Sequence, residues 1–197
     1  VLAFLACEVS NRTNQRRCCS LDILIPTRIV TYTKEQYERW KLGYREDCID
    51  PYCRNLPGTM GFGEYIGGKY YESIGYEWIH HDFNLFGGNK LGKYPKAEKI
   101  FRQFFGDERY EKGRQLYYLF YPAVRMEQPD LMIYKPDCSE IRFAECKRQD
   151  THDKLRDSQI RGLALLKLLY GCHVEVIEII EEGKGEKGER EPIIWRF

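Results

Sequence analysis

Residues 129–147 read PDLMIYKPDCSEIRFAECK. Two apolar runs, 131–134 and 141–146, flank a segment with the length and the proline of a hairpin loop. An acid, Asp130, opens the first run, and Glu145 and Lys147 close the second. Side chains alternate along a strand, so Glu145 and Lys147 share one face while Cys146 points the other way, into a core. If the two strands pair, Asp130 approaches the Glu145 face from its neighbour. Two carboxylates and an amine at one point suit a hard divalent cation and a phosphate.

Outward from this hairpin the order is strand, strand, helix, strand. Residues 153–170 carry an apolar stripe at helical spacing (Leu155, Ile160, Leu163, Leu166, Leu169, Tyr170), with Gly171 as the stop. Residues 173–180, HVEVIEII, alternate as a further strand. A helical crossover between strands predicts an α/β arrangement, a mixed central sheet flanked by helices. Beyond it, 181–191 reads as a charged loop and 192–197 as a short terminal strand.

The first half is less regular. Residues 1–60 read as an N-terminal extension before a core at 61–197. Within the extension, 21–32 is strand-like but broken by Pro26. Thr33 with Gln36 three residues later forms a capping box for a helix to about Gly43. Residues 60–74 fit a helix better than a strand, although Gly67 and Gly68 weaken it. Residues 76–86, YEWIHHDFNLF, alternate as a strand. Residues 87–128 form an insertion, with Ile100, Phe101, Phe104 and Phe105 at helical spacing over 95–111 and a second apolar run at 115–124.

The 197 residues are 43% hydrophobic, enough for a globular domain, and 31 basic against 30 acidic residues leave a net charge of +1. That balance neither demands nor excludes a nucleic-acid partner, since a local basic groove fits inside a neutral total. No apolar run reaches the roughly 20 residues of a membrane span, so no membrane partner is expected. Eight cysteines lie scattered at 7, 18, 19, 48, 53, 138, 146 and 172, a pattern suited to a reducing compartment, cytoplasmic or nuclear. Cys18, Cys19, Cys48 and Cys53 have looser spacing than a usual zinc site; half-buried free thiols are the better expectation.

Mg²⁺ or Mn²⁺ takes one or two carboxylates plus waters and substrate phosphates, and Asp130 and Glu145 supply two. The backbone carbonyl of Cys146, between the two side chains of the strand, is a further candidate ligand. Lys147 is placed to hold an attacking water or a developing oxyanion, or to act as a general base if a nearby dication lowers its pKa. Each element has a plainer counterpart: an E-x-K pair on a solvated strand, a Pro-Asp strand start. Their combination on adjacent strands, followed by a helix, is what points to catalysis.

Asp130, Glu145 and Lys147 in this order and spacing resemble the PD-(D/E)XK nuclease pattern. The run FAECKRQDTHDKLRDSQIRGLALL is similar to the VRR-NUC branch, the virus-type replication-repair nucleases: a strand ending in E-V-K, a polar loop, then a helix opening near D-x-Q, here Asp157-Ser158-Gln159. Cys146 stands where that family commonly has Val. The resemblance covers 129–180 and implies a restriction-endonuclease-like core, a Mg²⁺- or Mn²⁺-dependent nuclease acting on DNA, including branched or flapped forms, with RNA left open. It also implies an acid on a helix before the first core strand. Glu64 is the better match and Glu72 the alternative. Gln159 is implied near the site, where its amide orients the lysine or touches a phosphate; a helix-surface glutamine is the plainer expectation.

Arg148 and Lys154, just after the catalytic strand, and Arg125, just ahead of Asp130, are candidates for backbone phosphate contacts. Trp40, Trp78 and Trp195 show no spacing of a stacking platform, and His80 and His81 are expected to be structural. Cutting both strands of a duplex with one site per chain favours a homodimer. A catalytically silent nucleic-acid-binding module of the same fold is the alternative function.

Overall fold

The computed structural model describes residues 21–83, 85, 92–120, 125–185 and 188–196. Its six strands are β1 (Asp22–Tyr32), β2 (Glu77–His80), β3 (Leu131–Tyr134), β4 (Ile141–Arg148), β5 (His173–Glu181) and β6 (Gly188–Arg196). They form one mixed sheet in the order β2-β3-β4-β5-β1-β6. The helices that flank it are α1 (Lys34–Lys41), α2 (Pro51–Arg54), α3 (Phe62–Ser73), α4 (Pro95–Phe105), α5 (Asp107–Phe120) and α6 (Asp157–Tyr170). The α/β architecture follows the sequence expectation and is consistent with a restriction-endonuclease-like core.

The centre is the expected hairpin and crossover. Strands β3 and β4 pair antiparallel with Leu131 opposite Ala144, and β4 runs parallel to β5 across α6. Both faces of β3 and β4 are covered, which is why their apolar runs are nearly continuous. One core lies under α4, α5 and α6, around Phe101, Phe143, Leu163 and Leu166. The other lies under α1 and α3, around Trp40, Phe62, Tyr71 and Trp78. Gly171, at φ 66°, ends α6 in the left-handed conformation that an L side chain resists.

Helix α3 forms despite its two glycines because they let it lie close on the sheet. A Cβ at Gly67 would stand 3.0 Å from the Cys146 sulfur, and one at Gly68 would overlap the Trp78 indole. The propensity cost, about 1 kcal/mol per glycine, is offset by this approach, which carries Glu64 toward the end of β3.

Five expectations need correction. The expected extension over 1–60 is not peripheral where it is described: β1 lies inside the sheet, parallel to β5 and antiparallel to β6. Pro26 does not break it, because the register with β6 shifts between Ile25 and Thr27 and a bulge tolerates the missing N–H. The strand expected over 76–86 stops at His80, since His81 has φ 65° and the N–H groups of Asp82 and Phe83 turn back to the carbonyls of His80 and His81. The helix expected over 95–111 divides at Gly106, φ 75°, and α5 then runs on to Phe120 through part of the second apolar run. The loop expected over 181–191 is shorter, because β6 begins at Gly188.

Thr33 and Gln36 do form their capping box at the start of α1. Cys48 and Cys53 are buried free thiols. The Cys53 thiol points to the Gly61 carbonyl at 3.2 Å and the Cys48 thiol to that of Asp50 at 3.6 Å. Cys18 and Cys19 lie outside the described residues.

Candidate active site

The β3–β4 register builds the site. Asp130 precedes β3 and reaches across the hairpin, where its Oδ2 accepts the Cys146 N–H at 2.8 Å. Alternation along β4 then places Glu145 and Lys147 on one face. Glu145 is fully buried, and its Oε1 accepts from Lys147 Nζ at 2.9 Å and from the Gln159 amide. The Cys146 sulfur points to the opposite face, toward α3, as expected.

Gln159 joins the helix to this carboxylate. Its Oε1 accepts the Arg156 N–H at 3.0 Å, capping α6, while its Nε2 donates to Glu145. It is buried, so the surface-glutamine expectation does not hold, and its partner is Glu145 rather than the lysine. Asp157 stays exposed on the first turn. On its other side Lys147 meets Asp153 at 3.0 Å, a carboxylate in the loop between β4 and α6 that sequence reasoning did not single out.

His80 was also missed. Its Nδ1 lies 2.9 Å from the Asp130 carbonyl oxygen. A carbonyl only accepts, so Nδ1 carries the proton, and Nε2 faces Glu64 at 3.9 Å. The Asp50 carboxylate holds the His80 N–H at 3.0 Å and caps α2 through Cys53. His80 pairs with Leu131 across the β2–β3 ladder, beside Asp130. That register was the signal, and the over-long strand expected at 76–86 concealed it.

Glu64 lies near Asp130, whereas Glu72 is engaged by Lys69 at 2.7 Å and by the Trp78 indole at 2.8 Å. Arg148 does not face the site. Its guanidinium bonds Asp150 at 3.0 Å, lies over the Phe62 and Tyr37 rings at 5.2 Å each, and is 11% exposed. Lys154 is exposed on the loop before α6. Arg125 is 83% exposed and 3.5 Å from Glu127, on the segment leading to Asp130.

Burial, then repulsion from Asp130, raises the Glu145 carboxyl well above its ordinary range. Burial likewise raises Asp130, against the pull of the Cys146 N–H and of Lys147. Glu64 is raised by burial and by Asp130. Burial draws the Lys147 ammonium down, but Glu145 and Asp153 outweigh it and leave it above its usual value. Among the described residues Glu145 Oε2 is buried without a hydrogen-bond donor. Its neighbour Asp130 can donate only when protonated.

This donor set fits Mg²⁺ or Mn²⁺: hard oxygens, raised proton affinities and one buried oxygen lacking a donor. It is a two-carboxylate set. Among the described residues no group of three or more His, Cys, Asp or Glu side chains is arranged to hold a metal. A cleft of about 280 Å³ opens next to Asp130, between His80, His81, Phe83 and Tyr94. A larger one, about 630 Å³, runs beside β2 past Trp78 and Lys96 but is not lined by Asp130, Glu145 or Lys147.

No family model matches the chain, and no curated protein or solved structure is similar enough to match it. Among the described residues no helix is long and apolar enough to cross a membrane.

Proposed function

We propose that this protein is a metal-dependent nuclease that hydrolyses phosphodiester bonds in DNA, with Mg²⁺ or Mn²⁺ held by Asp130 and Glu145. The observation that carries this is the convergence of one fully buried carboxyl, one half-buried carboxyl and one ammonium, with Glu145 Oε1 2.9 Å from Lys147 Nζ and Oε2 lacking a donor. A buried acceptor without a donor costs about 1–3 kcal/mol, a cost that a bound cation at that oxygen would offset.

When bound, the cation supplies charge neutralisation at the phosphoryl oxygen and a more acidic bound water. The chain's own residues do the rest. Lys147, held protonated by its carboxylates in the metal-free protein, donates hydrogen bonds to the developing oxyanion or holds the attacking water. Gln159 positions Glu145 through its amide, and the Cys146 N–H positions Asp130. Lys154 and Arg125 are the exposed cations that flank the site for phosphate contact.

The test is a panel of labelled linear duplex, single-stranded, flapped and four-way substrates, each with Mn²⁺ and with EDTA. Cleavage only with metal supports the proposal. Binding without cleavage under every metal condition favours the silent nucleic-acid-binding module.

A further inference from the structure

The cleft of about 280 Å³ beside Asp130 is walled by flat side chains: His81, Phe83, Tyr94 and Pro129 line it, and it shares His80 and Asp130 with the carboxylate site. Its size is at the small end of ligand sites, suited to one planar ring system and too small for a stacked base pair. His81 enters it from a backbone conformation that a non-glycine residue adopts at a cost, φ 65°. Such strain persists where surrounding structure imposes it, and it clusters at functional sites. Here the structure imposing it is visible. The Tyr52 ring stacks on the His81 imidazole at 4.2 Å and 10°, and the turn that ends β2 closes through the Asp82 N–H to the His80 carbonyl at 2.7 Å. The imidazole is therefore braced from one side while half of its side chain stays exposed.

We propose that this cleft receives one unpaired nucleobase of the substrate strand, adjoining the phosphate that is cut, so that the preferred substrate is single-stranded or displaced DNA rather than intact duplex. The inference rests on the nuclease assignment and extends it to substrate class. The cleft is lined by Asp130 itself, so a nucleotide whose phosphate meets the carboxylates has its base beside the aromatic walls. A base inside a duplex is stacked and paired, whereas an unpaired base is free to lie on aromatic faces.

The experiment titrates the wild-type protein, with Ca²⁺ in place of Mg²⁺, against an oligonucleotide carrying a single 2-aminopurine, once as a single strand and once within a duplex. The expected result is a saturable fluorescence change on the single strand only. His81→Gly keeps the left-handed backbone and removes the ring; Tyr94→Leu removes a wall. Each is expected to weaken single-strand binding about tenfold, the scale of one stacked base, with duplex binding unchanged and the fold retained by circular dichroism. Unaltered 2-aminopurine emission with the wild-type protein, or equal single-strand affinity in both variants, overturns the inference. Duplex cleavage alongside such a result would leave the nuclease assignment standing. An intact 2-aminopurine response without cleavage of any substrate would support the base cleft and sink the nuclease assignment alone.

Discussion

Replacing Glu145 with Gln should stabilise the metal-free protein at alkaline pH while removing a carboxylate of the proposed site. The amide keeps an oxygen where Oε1 accepts from Gln159 and Lys147. It also puts an N–H₂ where Oε2 now lacks a donor, beside Asp130. Satisfying that buried position gains about 1–3 kcal/mol, and the weakened charge-assisted bond to Lys147, which keeps Asp153 at 3.0 Å, gives back about 1–2 kcal/mol. The net is centred on about 0.5 kcal/mol in favour of the variant, or about 1–2 °C in melting temperature for a chain of this size. The gain must depend on pH. Folding raises the carboxyl pKa of Glu145 and Asp130, so the native state binds more protons than the unfolded state above the ordinary carboxylate value of about 4. Wild-type stability from this source is therefore present at low pH and falls as pH rises through the raised values. Calorimetric melting in EDTA at pH 5 and pH 8 should show a small gap at pH 5 and a wider one at pH 8. A variant less stable than wild type at pH 8, or a gap identical at both pH values, refutes the strained carboxyl pair.

Gln159→Leu loses both the Arg156 cap and the Glu145 bond; denaturant unfolding should show a loss of about 1–3 kcal/mol, and kcat should fall more than KM changes. Gly162→Ala directs a methyl group at the Glu127 carbonyl in the segment that delivers Pro129 and Asp130, so melting should show destabilisation of about 1–3 kcal/mol together with reduced cleavage. Arg148→Ala should lower stability, because the guanidinium packs on Phe62 and Tyr37, yet leave the salt dependence of DNA binding unchanged. Lys154→Ala should do the reverse and reduce the slope of log affinity against log salt by about 1; equal slopes for wild type and Lys154→Ala count against the phosphate contact.

The elements legible in the sequence are those whose evidence is local. Alternation in 141–147, the loop at 135–140 and the stripe on 155–170 each carry their own periodicity, and they correspond to β4, the hairpin and α6. The pairing of Glu145 with Lys147 follows from alternation alone. Other features depend on contacts distant in sequence. Nothing local in 22–32 says that β1 enters the sheet between β5 and β6, because that placement is decided by pairing with residues about 150 positions away. Gly67 and Gly68 count against a helix until Cys146 and Trp78 are known to lie beneath them. Arg148 looks like a phosphate contact until Phe62 and Tyr37 are brought over it. His80 gains its place beside Asp130 only through the β2–β3 register, and Asp153 meets Lys147 only because the loop before α6 folds back over the end of β4.

Asp130, Glu145 and Lys147 are proposed to act as one hydrolytic site. The direct measurement is Mn²⁺-dependent cleavage of labelled single-stranded and flapped DNA by the wild-type protein, Asp130→Ala and Lys147→Ala, with circular dichroism and melting to confirm that each variant is folded. Metal-dependent cleavage by the wild type, reduced to background in both folded variants, is the predicted result. Undiminished cleavage by both variants would contradict it.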